Sequence, residues 1–174
     1  MQELRNLIRN VPDFPKKGIG FKDITTLLKQ GDAFRESVDA MAARFSSEDI
    51  DAIAGIEARG FIFGAALAYK WNKPFIPIRK PGKLPAEVLR EEYALEYGTD
   101  AIEMHVDAID ANQRVLVVDD LLATGGTVAA ACKLVENAGG RVAGIVFLIE
   151  LAFLNGMERL DEYRVESLIS FDSE

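Results

Sequence analysis

The clearest signal in the chain is the run Val115-Leu-Val-Val-Asp-Asp-Leu-Leu-Ala-Thr-Gly-Gly-Thr127. Its first four residues are apolar and mostly β-branched, which predicts a buried strand of a parallel sheet. Two carboxylates, Asp119 and Asp120, follow where such a strand would end. From Val128 onward the apolar residues have the spacing of one helix face. The run therefore predicts a strand, an acidic tip, a turn and a helix.

The turn between this strand and helix predicts an anion site. The backbone N–H groups of such a turn converge with those of the following helix N-terminus. Gly125 and Gly126 let the backbone approach phosphate oxygens without a Cβ in the way. Thr124 and Thr127 can add hydroxyl donors, and Ala123 is also small.

The two acids need a different partner, because Asp119 and Asp120 would repel a phosphate. Carboxylates suit what lies beside the phosphate, either ribose hydroxyls or a hydrated Mg²⁺. The Gly-Lys-Ser/Thr ending of the P-loop is missing from the run. The site is therefore predicted to take a sugar phosphate.

The run at 115–127 resembles the motif with which type I phosphoribosyltransferases bind phosphoribosyl pyrophosphate (PRPP), most closely in the adenine branch of that family. The resemblance implies a single α/β domain, with a parallel sheet flanked by helices, over residues 1–174. It also implies a small hood at about 1–30, a flexible lid at about 80–98 and a homodimer. The implied reaction is PRPP plus adenine giving AMP and pyrophosphate, as in purine salvage. Mg²⁺ would be held mainly through pyrophosphate, ribose and water.

Residues 14–24, Phe-Pro-Lys-Lys-Gly-Ile-Gly-Phe-Lys-Asp-Ile, match the start of the base-covering hood in the adenine branch. The resemblance implies that Phe21 stacks on the purine and that backbone groups around Gly20 and Lys22 read its exocyclic amine. Leu151 would close the opposite face of the base. Family members mostly have Arg where Lys22 stands, which matters little if the backbone does the reading. On composition alone, the aromatic rings of this segment would instead plug the edge of the core.

A second strand–turn–helix unit is predicted over residues 51–69, with Glu57-Ala-Arg-Gly60 at its turn. Ligands collect at the carboxyl ends of parallel strands, so Glu57 and Arg59 are expected in the same cleft as the two acids of the first unit. Arg59 offers a fork of donors suited to a diphosphate. The alternative for Arg59 is a surface ion pair with Glu57. The resemblance implies a pyrophosphate loop here, with a cis peptide between Glu57 and Ala58.

Residues 80–98 are polar and contain Gly and Pro, so they predict either a functional lid or a solvated surface loop. Lys80 and Lys83 would bring positive charge to the leaving pyrophosphate. The segment ends in Leu-Glu-Tyr-Gly98, which matches the adenine branch. That match implies that Glu96 exchanges a proton with N7 of the base, although the sequence alone ranks Glu96 no higher than Glu92. Glu96, Arg59 and Lys80 are thus the expected catalytic residues.

The composition excludes several classes of function. The chain has 174 residues and 49% hydrophobic content, which suits one domain with a sizeable core. It has no apolar run of roughly 20 residues and no N-terminal signal core, so no membrane partner is expected. A single cysteine, Cys132, is predicted to be buried and fits a cytoplasmic protein. The net charge of -8 argues against a nucleic-acid partner.

Three alternatives stay open. One is a 6-oxopurine or orotate enzyme of the same family, which usually lacks both the Phe-Lys-Asp-Ile and the Leu-Glu-Tyr-Gly segments. Another is a PRPP-sensing regulator of RNA or DNA on the same fold, which the acidic pI of about 4.8 disfavours. The last is a subunit that binds PRPP without catalysis, against which an intact Glu96 argues.

Overall fold

The computed structural model describes residues 1–94 and 98–173, and this part of the chain forms both strands and helices. The strands are β1 Arg9–Val11, β2 Phe21–Asp23, β3 Ala52–Ile56, β4 Phe75–Ile78, β5 Val88–Ala94, β6 Thr99–His105, β7 Arg114–Leu122, β8 Arg141–Leu151 and β9 Val165–Phe171. The helices are α1 Gln2–Asn6, α2 Thr25–Leu28, α3 Gly31–Ala42, α4 Gly60–Trp71 and α5 Gly126–Asn137. Short 3-10 turns are formed by Ser47–Asp49, Ala152–Leu154 and Gly156–Leu160.

The central sheet has five strands in the order β4-β3-β7-β8-β9, and every neighbouring pair is parallel. This confirms the predicted parallel sheet. After β3 the chain moves to one side to form β4 and then returns to the other side to form β7. The direction of winding therefore changes between β3 and β7. In open parallel sheets, the crevice outside the carboxyl ends of the strands at such a point is where ligands bind.

The apolar run of β7 is continuous because both faces of the sheet are covered. Leu116 and Val118 belong to a core cluster shared with α3 and α4, whereas Val115 and Val117 belong to a cluster shared with α5. All four side chains are fully buried. Each contributes roughly 1.5–3 kcal/mol of transfer free energy, so the strand that carries the two acids is firmly fixed.

The sequence predicts that strand β7 ends at the two acids, but the strand continues to Leu122. The reason lies in its neighbour. Strand β8 has 11 residues, and the pairing continues through Asp119 opposite Phe147 and Leu122 opposite Glu150. Asp119 and Asp120 therefore lie on a paired strand, and their backbone has less conformational freedom than it would have in a loop.

Two antiparallel ribbons stand outside the central sheet. Strands β1 and β2 form one, in the N-terminal segment expected to be a hood. Strands β5 and β6 form the other, and a bridge between Arg79 and Glu103 joins it to the segment that follows β4. No helix in the described ranges 1–94 and 98–173 combines the length and the apolar character needed to cross a membrane.

Candidate active site

The turn after β7 forms a small concave site at the start of α5. Residues 121–128 and Asp119 line a hollow of about 80 Å³. Gly125 has a φ of +79°, and a Cβ at this position would lie only 2.5 Å from the carbonyl oxygen of Gly156. Only glycine fits this turn without strain. The first N–H groups of a helix lack acceptors within the helix, so those of α5 are available to an anion in the hollow.

The two acids differ in their surroundings. The Asp120 side chain is 5% exposed and accepts a hydrogen bond from Arg59 Nε at 2.5 Å. Asp119 Oδ1 accepts a hydrogen bond from the backbone N–H of Asp120 at 2.9 Å. Burial and the neighbouring Asp120 carboxylate raise the pKa of Asp119 well above its ordinary value. A hydroxyl donor or a cation beside this carboxyl would oppose both effects.

The position of Arg59 follows from the contact between α4 and β7. A Cβ at Gly60 would lie 2.8 Å from both Asp119 Oδ1 and the Val118 carbonyl oxygen. Because Gly60 has no side chain, the first turn of α4 packs directly on the acidic part of β7. This brings Arg59, the preceding residue, to Asp120.

Arg59 also reaches the hood. Its guanidinium carbon lies 5.1 Å from the centroid of the Phe21 ring. The structure thus places three residues in contact that the sequence predicts to serve the ribose, the pyrophosphate and the base. Their order is Asp120, Arg59 and Phe21.

The alternative of an ion pair between Arg59 and Glu57 is wrong, because Glu57 has other partners. Its carboxylate accepts hydrogen bonds from Arg79 Nη2 at 3.2 Å, Lys83 Nζ at 2.5 Å and the Lys80 backbone N–H at 3.1 Å. Burial raises the pKa of Glu57, but these hydrogen bonds outweigh it and lower the pKa to about 2. The peptide bond between Glu57 and Ala58 is cis, as the resemblance implied.

The two lysines of the predicted lid are also engaged by acidic groups. Lys83 is paired with Glu57, and Lys80 Nζ donates to Tyr93 Oη at 2.8 Å and to a carboxylate oxygen of Asp100. Sequence reasoning missed Asp100 and Tyr93. Both residues are brought together by the register of the β5–β6 ribbon, which places Tyr93 directly opposite Asp100. This register is not evident from the sequence.

The residues predicted to hold adenine lie in the hood and at the end of β8. Phe21 makes an edge-on contact with Phe14, with ring centroids 5.1 Å apart. Lys22 is 5% exposed, and its Nζ donates to Asn10 Oδ1 at 3.1 Å and lies over the Phe171 ring, so this side chain packs into the fold. Leu151 is buried at the end of β8, and Gly20 precedes β2.

The roles predicted for the individual site residues stay predictions, among them those of Glu96 and of a metal ion. Glu96 lies outside the described residues. In the described part of the chain, no three His, Cys, Asp or Glu side chains come together as a protein-made metal site would require. The oxygen donors of Asp119 and Asp120 do fit a hard cation such as Mg²⁺ that takes its other ligands from substrate and water.

Comparison with known proteins identifies the family. Residues 23–173 match the phosphoribosyl transferase domain model. The chain is 60% identical to an adenine phosphoribosyltransferase of Chloroflexus aurantiacus, with 98% of each chain covered. A crystal structure of an adenine phosphoribosyltransferase from Thermoanaerobacter pseudethanolicus superposes with a TM-score of 0.95 at 56% identity, covering 98% of this chain and 99% of that one.

A more distant structure adds information about ligands. It is the Saccharomyces cerevisiae adenine phosphoribosyltransferase complexed with an imino-altritol bisphosphate and adenine, with a TM-score of 0.91 and 38% identity. That comparison covers 95% of this chain and 96% of that one. The chain described here therefore belongs to the phosphoribosyl transferase family and, within it, to the adenine phosphoribosyltransferases.

Proposed function

We propose that this enzyme transfers the 5-phosphoribosyl group of PRPP to adenine and releases AMP and pyrophosphate. The observation that carries the proposal is the continuous row formed by the hollow at residues 121–128, the acids of β7, Arg59 and Phe21. A nucleotide has the same order of parts, which are a phosphate, a ribose and a base. The relatives with adenine in their names support adenine as the base.

In this proposal the turn at residues 123–127 binds the 5′-phosphate through its N–H groups and the hydroxyls of Thr124 and Thr127. Asp119 and Asp120 accept hydrogen bonds from the ribose hydroxyls, and this orients the anomeric carbon. Phe21 stacks on the adenine ring, and backbone groups around Gly20 and Lys22 read its amine. Leu151 closes the other face of the base.

The reaction breaks the bond between the anomeric carbon and pyrophosphate while N9 of adenine forms a new bond to that carbon. The transition state has oxocarbenium character, so positive charge on the sugar and negative charge on the leaving group develop together. Arg59, Lys80 and Lys83 neutralise the departing pyrophosphate. When bound, Mg²⁺ supplies further neutralisation of the same charge. Glu96 takes the proton of N7 as N9 reacts.

We also propose that the enzyme is a homodimer of single-domain subunits in the cytoplasm. The family resemblance and one exposed surface support the dimer. On α4, Ile62 and Tyr69 are 36% and 91% exposed, and their spacing of seven residues places them on one helix face. The free, buried Cys132 thiol suits a reducing compartment. A Tyr69→Glu variant should shift the mass measured by light scattering towards the monomer, and an unchanged dimer would remove this surface from consideration.

The test of the activity is a panel of bases with PRPP and Mg²⁺. Adenine should give AMP and an equal amount of pyrophosphate, and hypoxanthine, guanine and orotate should give no nucleotide above background. If nucleotide forms mainly from an oxopurine or from orotate, the proposal that adenine is the substrate is wrong. Retention of RNA or DNA on a filter at physiological salt, without turnover of any base, would favour the regulator instead.

A further inference from the structure

The ammonium group of Lys80 occupies a site on the β5–β6 ribbon that is formed by Asp100 and Tyr93. Its Nζ donates to Tyr93 Oη at 2.8 Å and to Asp100, and it lies over the Tyr93 ring. The Lys80 and Asp100 side chains are 39% and 33% exposed, so the pair is partly withdrawn from water. Burial lowers the pKa of Lys80, but the hydrogen bonds to Asp100 and Tyr93 outweigh it, and the pKa is raised.

Asp100 and Tyr93 are held in place by groups other than Lys80. Tyr93 is 8% exposed and packs in the core cluster beneath α5. Its hydroxyl lies 3.2 Å from Asp100 Oδ2, and the Ala101 backbone N–H donates to Asp100 Oδ1 at 2.8 Å. Tyr93 and Asp100 are also direct partners in the ribbon register. The carboxylate and the hydroxyl are therefore positioned before the lysine reaches them.

The backbone of Lys80 is fixed separately from its side chain. The Lys80 N–H donates to Glu57 at 3.1 Å, and the preceding Arg79 is bonded to the backbone of Glu103 in both directions. The Gly82 N–H donates to the Glu103 carboxylate at 3.0 Å. The backbone of Lys80 is therefore held by bonds that do not involve its ammonium group.

We propose that Asp100, assisted by Tyr93, is a positioning residue that docks the Lys80 ammonium on the ribbon and competes with pyrophosphate for it. This inference rests on the proposed role of Lys80 at the leaving pyrophosphate. A carboxylate in contact with Lys80 both occupies its donors and repels an approaching anion. Asp100 thus weakens the binding of PRPP and of the pyrophosphate product by Lys80, and it favours product release.

The primary experiment measures binding of inorganic pyrophosphate with Mg²⁺ to the full chain by calorimetry, together with steady-state kinetics. Because exposed ion pairs have small coupling energies, Asp100→Asn should lower the Kd for pyrophosphate by about two- to fivefold. The KM for PRPP should fall in step, and the KM for adenine should not change. Asp100→Glu should restore wild-type values. Tyr93→Phe, which keeps the ring in the core, should shift Kd in the same direction by a smaller factor.

Three further variants complete the test. Asp107→Asn removes the same charge from an exposed position just after β6 and should leave the Kd for pyrophosphate unchanged. Lys80→Met should weaken pyrophosphate binding, and adding Asp100→Asn to Lys80→Met should then lower the Kd by a smaller factor than Asp100→Asn does in the wild-type chain.

The outcomes separate the two proposals. If Lys80→Met leaves pyrophosphate binding unchanged, the proposed role of Lys80 fails and this inference fails with it. If Lys80→Met weakens binding but Asp100→Asn and Tyr93→Phe leave it unchanged or weaken it, Lys80 keeps its role and the positioning role of Asp100 is wrong. If Asp100→Asn and Asp107→Asn change the Kd for pyrophosphate equally, the change comes from the net charge of the protein, and the positioning role of Asp100 is wrong.

Discussion

Replacing Gly125 by Ala should damage both the stability of the fold and the binding of PRPP. Gly125 has a φ of +79°, and a new Cβ would lie 2.5 Å from the Gly156 carbonyl oxygen. The left-handed conformation alone costs a non-glycine residue about 1–2 kcal/mol. The clash adds to this because a backbone carbonyl cannot move without its whole turn. Since Gly125 precedes α5, any relief of the clash displaces the N–H groups proposed to bind the 5′-phosphate.

Gly139→Ala is the matched control. Gly139 has a φ of +87°, but the nearest heavy atom to its new Cβ is 3.9 Å away, so the variant has the backbone strain without the clash. It should lose about 1–2 kcal/mol in urea unfolding and keep the wild-type KM for PRPP. Gly125→Ala should lose more and raise the KM for PRPP at least tenfold, with the KM for adenine less affected. Equal stability losses together with a wild-type KM in Gly125→Ala would refute the assigned phosphate site.

Other predictions concern the charged groups of the cleft. Arg59→Lys should lower kcat/KM for PRPP by roughly 100-fold or more, because a lysine cannot reproduce the guanidinium fork, and a circular dichroism spectrum like wild type should accompany the loss. Asp120→Asn should cripple turnover with the fold intact, and wild-type kcat would contradict the ribose assignment. The pKa of Glu57 is lowered to about 2 in the folded chain from an ordinary value of 4.5, so its ionised form stabilises the fold above pH 4.5 and this contribution is lost as pH falls towards 2. Urea midpoints measured down through that range should therefore fall less steeply for Glu57→Gln than for wild type.

The fold was readable from the sequence because its strongest signals are local. The apolar run before Asp119, the glycines at 125 and 126 and the helix spacing after them each point to the same strand–turn–helix unit. The parallel sheet follows from two such units with buried strands. The end of β7 was misplaced because strand length depends on how far the neighbouring β8 continues, and that neighbour is distant in sequence.

The site was readable in its residue types but not in its pairings. Arg59 was correctly expected beside the acids, but its contact with Asp120 was not predicted, since that contact depends on how closely α4 packs on β7 at Gly60. Asp100 was not singled out at all. Its importance comes from the ribbon register opposite Tyr93 and from the path of Lys80, neither of which is a local property of the sequence.

The ion pairs of the cleft suggest how one substrate could organise several groups together. In the structure each cation proposed for pyrophosphate is bonded to a carboxylate, with Arg59 on Asp120, Lys80 on Asp100 and Lys83 on Glu57. Transfer of Arg59 to a pyrophosphate oxygen would free the buried Asp120 for a ribose hydroxyl and free the face of Phe21 for the base. A buried carboxylate that loses its partner is costly unless it gains another hydrogen bond, so binding of the ribose and binding of the pyrophosphate should reinforce each other. Ribose 5-phosphate and pyrophosphate added together should therefore bind more tightly than each does alone, and this coupling should disappear in Asp120→Asn.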